Sequence, residues 1–403
     1  MATERRSAEP SSAPVASALE SAGFAHIVAR ADGDALATSG LLARALTDRG
    51  TPFQVSVGRT VADRTARVRD REPATDDVTI GVGAIDADVT RLDDADRPAT
   101  LAALDVVREI GSTPDPVLAL AGLVAADVEP GAGESEWILE TARERGLVER
   151  RPGVGIPTGD PVDGIAHSTR LRAPWSGDPD ATRDALEGLG ADLDEPADFD
   201  GDDHRAIASA VALDVVGDDE AAAAAAETIQ RALRPYATPD HAFATVGGYA
   251  DVLEATARTE PGTGAALAMG HGVHEPALAA WREDGRRAHA ALEGASTGRY
   301  DGLFVVGIDD GPVETVARIA ATYRSPEPVV LAVGDGEAAI ATRGDDHLGA
   351  TVEAVARELG ADDSDSNGAQ EGVEYDSSRR RGYLRYDTAR DESTIIAAVR
   401  ERL

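Results

Sequence analysis

The stretch HIVARADGDALATSGLLARALTDRG, which begins at His26, constrains the fold of this chain more than any other. Its first residues form an apolar run that predicts a buried strand, and its later leucines recur with the period of an amphipathic helix that ends before Gly50. Asp32 and Asp34 lie in the turn between the two. Two carboxylates one residue apart at the carboxyl end of a strand suit a hard divalent cation. The sequence therefore predicts a strand, an acidic turn suited to a metal ion, and a helix.

The same alternation of strand and helix continues beyond this stretch. Apolar alternation predicts strands over Phe53–Val57 and Val78–Ile85, and helical periodicity predicts helices over about 97–110 and 114–126. Strands that alternate with helices, with acidic residues at the strand ends, indicate a parallel sheet whose site lies at its carboxyl edge. Asp86 follows the second of these strands and is therefore a candidate third carboxylate.

Composition shifts and turn-rich stretches divide the chain into segments. Within the middle of the chain, 192–203 is interpreted as an acidic linker and Glu220–Leu233 as a long alanine-rich helix. From Tyr300 onward, strands and helices alternate again, which indicates a second α/β domain. The predicted segments are a flexible tail (1–20), an α/β core (21–130), a helical insert that completes the core and cleft (131–275), a connecting helix (276–298) and the second domain (299–403).

The charge is the unusual part of the composition. The chain carries 73 Asp and Glu against 39 Lys and Arg, a formal net charge of −34, and all of its fixed side-chain cations are arginines. Because the acidic residues are spread through every segment, we interpret them as adaptation to a salt-filled cytoplasm rather than as a binding surface. The absence of cysteine excludes disulfides and thiolate chemistry. The apolar run 116–126 is too short to span a membrane, so we expect a cytoplasmic protein that does not bind membranes.

Four stretches together resemble one known family over nearly the whole chain. They are ADGDALATSGLLARAL, TLAALDVVREIGSTPDPVLALAGLVAA, YADVLEATAR, and the C-terminal pair GLFVVGIDDG and PVVLAVGDGEAAIATRGDDHLG. In this order they are similar to the RecJ-type branch of the DHH phosphoesterases. The resemblance implies an α/β protein with a parallel-sheet DHH-type domain and a smaller α/β DHH-associated C-terminal domain. It also implies nucleic-acid substrates, with single-stranded DNA expected here, and catalytic manganese.

The resemblance assigns candidate site residues. Asp32 and Asp34 stand where the family holds its metal ions, and Asp86, or alternatively Asp88, can stand for the aspartate of the family's second motif. Arg258 matches the arginine of the family's L-N-A-x-G-R stretch, which faces the bound strand, although Glu254 replaces the asparagine and Ala257 the glycine. Arg343 follows a strand where family members place arginines near nucleic acid. Arg258 and Arg343 are therefore the nucleic-acid-binding candidates.

The sequence departs from the family pattern at the motifs that the family uses for catalysis. No D-H-H triplet occurs, and the family's glycine-rich G-G-G-H loop is replaced by DDSDSNGAQEGVEYD. The two D-D-H triplets, 202–204 and 345–347, lie in the wrong places, and His26 stands two residues before the position of the family's first histidine. Two-metal hydrolysis needs carboxylates and histidines that hold both ions about 3.5–4 Å apart. We therefore expect no intact catalytic residues and no bound cofactor, with Mn²⁺ or Mg²⁺ as the cofactor if the protein is active.

Three functions remain open from the sequence. The first is a catalytically degenerate scaffold that guides single-stranded DNA in replication or repair, since such RecJ-type relatives accompany the replicative helicase and dock with GINS and MCM. The second is a manganese-dependent single-strand exonuclease or small phosphoesterase with a reduced ligand set. The third is a regulatory nucleotide-binding module.

Other polar motifs are interpreted as structural. His271 and His274 have helical spacing but lie among loop-forming residues. The run Arg379–Arg381 is interpreted as a solvated rim, and His167 and Trp175 as residues that pack the inserted segment.

Overall fold

The structure is a computed structural model that describes residues 12–92, 97–344, 347–364 and 372–403. Its N-terminal part contains four strands and five helices: α1 (Ser12–Ser21), β1 (Phe24–Arg30), α2 (Gly33–Arg49), β2 (Phe53–Gly58), α3 (Val61–Arg69), β3 (Asp77–Val82), β4 (Thr90–Arg91), α4 (Ala99–Glu109) and α5 (Pro116–Ala125). The strands form one sheet in the order β2-β1-β3-β4 and every pair is parallel. The predicted parallel sheet is confirmed.

Strand β1 and helix α2 form as the sequence predicts. Residues 25–29 of β1 are buried, because the strand lies between β2 and β3 in the centre of the sheet. Asp32 caps α2 by accepting a hydrogen bond from the backbone N–H of Ala35. The helix ends at Gly50, whose φ of +72° lies in the left-handed region that favours glycine. The acidic turn therefore lies at the carboxyl edge of the sheet.

The middle of the chain is mainly helical and connects the two sheets. Its elements are α6 (Glu136–Glu144), β5 (Glu149–Arg150), α7 (Pro161–His167), α8 (Pro179–Leu186), α9 (Gly201–Gly217), α10 (Ala225–Ala232), β6 (Tyr236–Ala237), α11 (Val246–Thr259), α12 (Pro261–Ala268) and α13 (His274–Glu293). Helices α11 to α13 pack into the core of the N-terminal sheet. At Gly285 of α13, a Cβ atom would lie only 2.0 Å from the carbonyl oxygen of His167, so this close approach requires glycine.

The C-terminal part is a mixed sheet flanked by helices. Its elements are β7 (Ser296–Tyr300), β8 (Leu303–Gly307), α14 (Val313–Tyr323), β9 (Val329–Gly334), β10 (Glu337–Thr342), α15 (Gly349–Ser364), β11 (Glu374–Ser377), β12 (Arg381–Arg385) and α16 (Glu392–Arg400). The order is β11-β12-β10-β9-β8-β7, with β8 and β9 parallel and the other pairs antiparallel. The predicted smaller α/β domain is confirmed.

The two faces of the C-terminal sheet have different partners. One face packs with residues of the middle segment, such as Trp175 and Ile207, in a core that also contains Val330. The other face is covered by α15 and α16. The middle segment is therefore an integral part of the molecule, in contact with both sheets. Among the described residues, no helix combines the length and apolar character needed to cross a membrane.

Three sequence-based predictions need correction. Residues 12–20, predicted as part of a flexible tail, belong to α1, which buries Val15, Ala16 and Leu19. The predicted acidic linker over 192–203 ends in the first turn of α9, which Asp200 caps. The predicted helix over Glu220–Leu233 is only the shorter α10, since residues 218–224 form turns and irregular backbone.

Candidate functional site

Asp32 lies in the turn after β1, and both of its carboxylate oxygens already have partners. Oδ1 accepts a hydrogen bond from the backbone N–H of Ala35 at 2.8 Å. Oδ2 accepts from Nε of Arg30, and the two side chains form an ion pair. Asp32 is therefore the N-terminal cap of α2, with a guanidinium as its counter-charge.

Asp34 is buried and caps a second helix. Its carboxylate accepts hydrogen bonds from the backbone N–H groups of Ala99 and Thr100, each at 2.9 Å, and from the Thr100 hydroxyl at 2.6 Å. The residue before α4 is Pro98, whose side chain cannot cap the helix, so Asp34 supplies the missing acceptor. Burial, together with the neighbouring Asp32 carboxylate, raises the pKa of Asp34 to about 6.

Asp86, the third metal candidate, lies apart from the other two. Its side chain is 87% exposed and faces Arg69 at 3.5 Å. In the described ranges, no group of three or more histidine, aspartate and glutamate side chains is arranged to hold a metal ion. The donor set does not fit the family's two ions, because Asp86 does not join Asp32 and Asp34, and two carboxylates alone are too few to hold two ions.

A buried glutamate that sequence analysis mentioned only as a departure lies beside the acidic turn. Glu254 of α11 accepts a hydrogen bond from the backbone N–H of Gly33 at 2.7 Å. It also pairs with Arg258 and with Arg381 of β12. Although burial acts to raise it, these two guanidinium groups hold the pKa of Glu254 below its usual range. Glu254 is therefore a charged buried residue that joins α2, α11 and β12.

Arg381 has a different role from the solvated rim predicted for its run. Besides Glu254, its guanidinium contacts Asp127 at 3.0 Å and approaches the carbonyl oxygen of Ala125 at 3.4 Å. Its side chain is 23% exposed. The prediction of a rim is wrong for this residue, because Arg381 reaches from the C-terminal sheet to the end of α5.

Arg258, a nucleic-acid-binding candidate, is buried. Its side chain is 6% exposed and its guanidinium pairs with Glu254 and, at 3.4 Å, with Glu314 of α14. These two carboxylates hold the pKa of Arg258 above its usual range despite burial. A nucleic-acid strand would meet this arginine only after those ion pairs had opened.

Arg343, the other nucleic-acid-binding candidate, is exposed just after β10. It lines a cavity together with other arginines, among them Arg170 and Arg380. The structure therefore separates the two candidates: Arg258 is buried among carboxylates and Arg343 lies at a basic surface.

A cleft of about 510 Å³ is lined by residues of the acidic turn and of the C-terminal sheet. Asp32, Asp34 and Asp127 contribute its carboxylates, and His347 lies on its far side. The arginines that line it are Arg30, Arg97, Arg379, Arg380 and Arg381. With five arginines and three carboxylates, the cleft is more basic than the chain as a whole.

The remaining polar motifs have structural positions. Trp175 donates to Asp214 at 2.8 Å and His167 packs edge-on against Trp281, as predicted for packing residues. His274 begins α13 and contacts Phe243. In the D-D-H triplet 202–204, both aspartates lie in the first turn of α9. In the triplet 345–347, the two aspartates lie outside the described residues.

Comparison with known proteins identifies the family. Residues 295–401 match the family model described as the C-terminal domain of the uncharacterized protein rrnAC1427. The protein of that name from Haloarcula marismortui is 48% identical over 368 residues, which cover 90% of this chain and 93% of the relative. The chain belongs to the rrnAC1427 family. This relationship covers both sheets and the middle segment.

Solved structures similar to this rrnAC1427-family protein define its fold. CDC45 from Entamoeba histolytica aligns over 96% of this chain and 97% of its own, with a TM-score of 0.60 and 8% identity. RecJ from Thermus thermophilus in complex with Mg²⁺ aligns over 97% of this chain and 52% of its own, with a TM-score of 0.44 and 16% identity. The likeness to CDC45 confirms the predicted fold.

Proposed function

We propose that this rrnAC1427-family protein is a RecJ-like scaffold that binds single-stranded DNA in its cleft without hydrolysing it. The observation that carries this proposal is the position of the Asp34 carboxylate, which accepts three hydrogen bonds from the first turn of α4. These bonds hold the carboxylate against α4, and Asp86 does not join it. This arrangement supports a scaffold, because the family's hydrolytic route needs a larger set of carboxylates and histidines around its two ions.

The basic character of the cleft supports nucleic acid as its ligand. In a chain of net charge −34, five arginines line this one cleft. Guanidinium groups bind phosphate oxygens through paired hydrogen bonds, which add geometric specificity to the attraction between the charges. Arg379 is exposed in the turn between β11 and β12, where it is accessible to a strand in the cleft.

A role as companion of the replicative helicase follows from the fold and the sequence resemblance together. The fold is shared with CDC45, and RecJ-type relatives that have lost their catalytic motifs are the ones that the resemblance links to GINS and MCM. We propose GINS as the docking partner and MCM as the neighbouring ring. Affinity purification from native cells at high salt should recover GINS subunits. Their consistent absence, with intact protein on the resin, would contradict this part of the proposal.

The test of the cleft uses 5′-labelled single-stranded DNA with Mn²⁺ in molar KCl. We expect binding, measured by fluorescence anisotropy over several KCl concentrations, and no shortening of the labelled strand. Arg379→Ala should weaken binding several-fold, because one phosphate contact is lost. Arg205→Ala is the matched control, since Arg205 pairs with Asp202 on the exposed side of α9, outside the cleft.

The rival function is a Mn²⁺- or Mg²⁺-dependent exonuclease or phosphoesterase. Its signature would be metal-dependent shortening of the labelled strand that is lost in both Asp34→Asn and Asp32→Asn. That result would overturn the scaffold proposal. Failure of the wild-type protein to bind the strand at any KCl concentration would remove the claim on single-stranded DNA.

A further inference from the structure

A second cavity, of about 190 Å³, lies where the middle segment meets the C-terminal sheet. The loop after α7 contributes Thr169 and Arg170, and α10 contributes Arg231. The C-terminal sheet and its helix α14 supply the opposite wall, including Arg318 and Arg343. The cavity is thus assembled from segments far apart in sequence, which single motifs could not reveal.

Its charge is the opposite of the charge of the chain. Two carboxylates line it, Asp127 and Glu227, and each lies beside one arginine, at 3.0 Å and 3.9 Å respectively. Six arginines less two carboxylates leave a formal charge of +4, in a protein of −34. The six arginines are Arg170, Arg231, Arg318, Arg343, Arg380 and Arg381.

Arg318 shows that the positive charge is incompletely balanced within the protein. Its guanidinium donates to the carbonyl oxygen of Thr169 at 3.0 Å and to the hydroxyl of the same residue, while its Nε is buried and has no hydrogen-bond partner among the described residues. The nearest carboxylate in an ion pair with it is Asp251, at 3.9 Å. Burial lowers the pKa of Arg318, and the charge of Arg381 acts in the same direction, against the opposing effect of Asp251.

Other arginines of the cavity are also available to a ligand. Arg170 and Arg343 form no ion pair with any carboxylate in the part of the chain that the structure describes. The Tyr323 hydroxyl donates to the carbonyl oxygen of Arg170 at 2.6 Å and fixes the loop that carries this arginine. The wall is therefore held in place while these two guanidinium groups remain open to an anion.

We propose that this cavity binds a compact phosphate polyanion, with inorganic pyrophosphate or a short polyphosphate as the free form. Guanidinium groups match phosphate oxygens with paired hydrogen bonds, and several of them around one cavity suit more than one phosphoryl group. The volume lies below the roughly 300–1,000 Å³ of pockets for drug-sized ligands. The aromatic residue in the wall, Tyr323, is only 2% exposed, so no open ring face is offered there for base stacking.

The proposal does not depend on the scaffold function, since its tests use Arg170 and Arg343, which do not line the cleft at Asp34, although Arg380 and Arg381 line both. A free polyphosphate and the terminal phosphate of a DNA strand would both offer phosphate oxygens to these arginines. Calorimetric titrations of the full chain in KCl without divalent metal distinguish the two sources. The probes are pyrophosphate, tripolyphosphate, and one oligonucleotide with a 5′-phosphate or a 5′-hydroxyl.

We expect saturable binding of pyrophosphate or tripolyphosphate at one site per chain. Arg343→Ala and Arg170→Ala should each weaken it about tenfold or more, because each removes a charge-assisted hydrogen bond. Arg343→Lys keeps the charge but not the paired donors. Its affinity for the polyphosphate should therefore lie between those of the wild type and Arg343→Ala. Arg205→Ala should leave the affinity unchanged.

Three results would overturn the proposal. The first is the absence of saturable binding of either polyphosphate to the folded wild-type protein. The second is binding that neither Arg170→Ala nor Arg343→Ala weakens, with circular dichroism showing both variants folded. The third is the absence of polyphosphate binding together with tighter binding of the 5′-phosphorylated than of the 5′-hydroxyl oligonucleotide that Arg170→Ala and Arg343→Ala abolish, which would assign the cavity to the end of a nucleic-acid strand.

Discussion

Asp34 connects the first strand–helix unit to α4 through three hydrogen bonds to its buried carboxylate. Its partners, Ala99 and Thr100, are 65 and 66 residues away in sequence. Glu254, which accepts from Gly33 in the same turn, is 221 residues away. The D-x-D motif therefore locates the turn at the carboxyl end of β1, whereas the long-range contacts decide what its carboxylates do.

Replacement of Asp34 by alanine should destabilise the protein by about 2 kcal/mol. The change removes a helix cap and leaves two backbone N–H groups and a hydroxyl without their acceptor in a buried position. The measurement is urea unfolding followed by circular dichroism in KCl. Asp86→Ala is the control and should change the unfolding free energy by less than about 0.5 kcal/mol, because the Asp86 side chain is 87% exposed. Equal stability of the two variants would show that Asp34 does not support α4.

The sequence predicted where this site lies better than it predicted which residues form it. Asp32 and Asp34 lie where the strand–turn–helix pattern predicted, at the edge of a parallel sheet. Asp86 also follows its predicted strand, but its side chain faces solvent. A local pattern does not determine which way a side chain points after a strand has ended. The change from the family's asparagine to Glu254 was visible in the sequence, but the structure was needed to find its arginine partners, Arg258 and Arg381.

Strand β12 links the C-terminal sheet to the N-terminal part through Arg381. Other contacts add to this link: Arg59 pairs with Glu337 at 2.9 Å, and the buried Arg64 pairs with Asp376 at 2.5 Å. These pairs join the turn after β2, and helix α3, to β10 and β11 of the C-terminal sheet. Ion pairs thus link the N-terminal part to the C-terminal sheet.

Arg381→Met should loosen this connection. The substitution keeps much of the side-chain volume but leaves Glu254 with one guanidinium partner instead of two and Asp127 without its arginine. Removal of one partner of a buried pair typically costs about 3–5 kcal/mol, and we expect about 2–3 kcal/mol here because Arg258 remains.

Hydrogen exchange monitored by mass spectrometry tests this expectation. Exchange should accelerate in β12 and at the end of α5, where Arg381 makes its contacts. Arg402→Met is the matched control, since Arg402 pairs with Glu358 at the surface, within the C-terminal part alone. Identical exchange in the two variants would contradict a linking role for Arg381.

Elements with strong periodicity were predicted well, and polar elements were missed. Strand β1 is a buried apolar run and β2 alternates, so both were predicted. Strands β7 and β11 were not predicted, because their polar and half-exposed residues form strands only through pairing with distant neighbours. Helix α9 was also missed, although Asp200 and Asp203 form a capping box that signals its start. Helix propensity in the alanine run before α10 was overridden by tertiary context.

On the scale of the whole molecule, positive charge is concentrated where the sheets and the middle segment meet. The chain has 39 arginines, and the cleft and the neighbouring cavity bring a cluster of them to this junction. A uniformly acidic sequence gives no indication of such a cluster, since it arises from folding. The RecJ-like fold, in contrast, could be predicted from the order of strands and helices together with the family-like stretches.

The central proposal is that this chain lacks the metal site on which the DHH phosphoesterases depend. Direct Mn²⁺ titration followed by electron paramagnetic resonance, in molar KCl to screen the acidic surface, tests it most directly. We predict no saturable Mn²⁺ site in the wild-type protein, and the same titration curve for Asp34→Asn. Stoichiometric binding of one or two Mn²⁺ ions per chain that Asp34→Asn abolishes would contradict the claim.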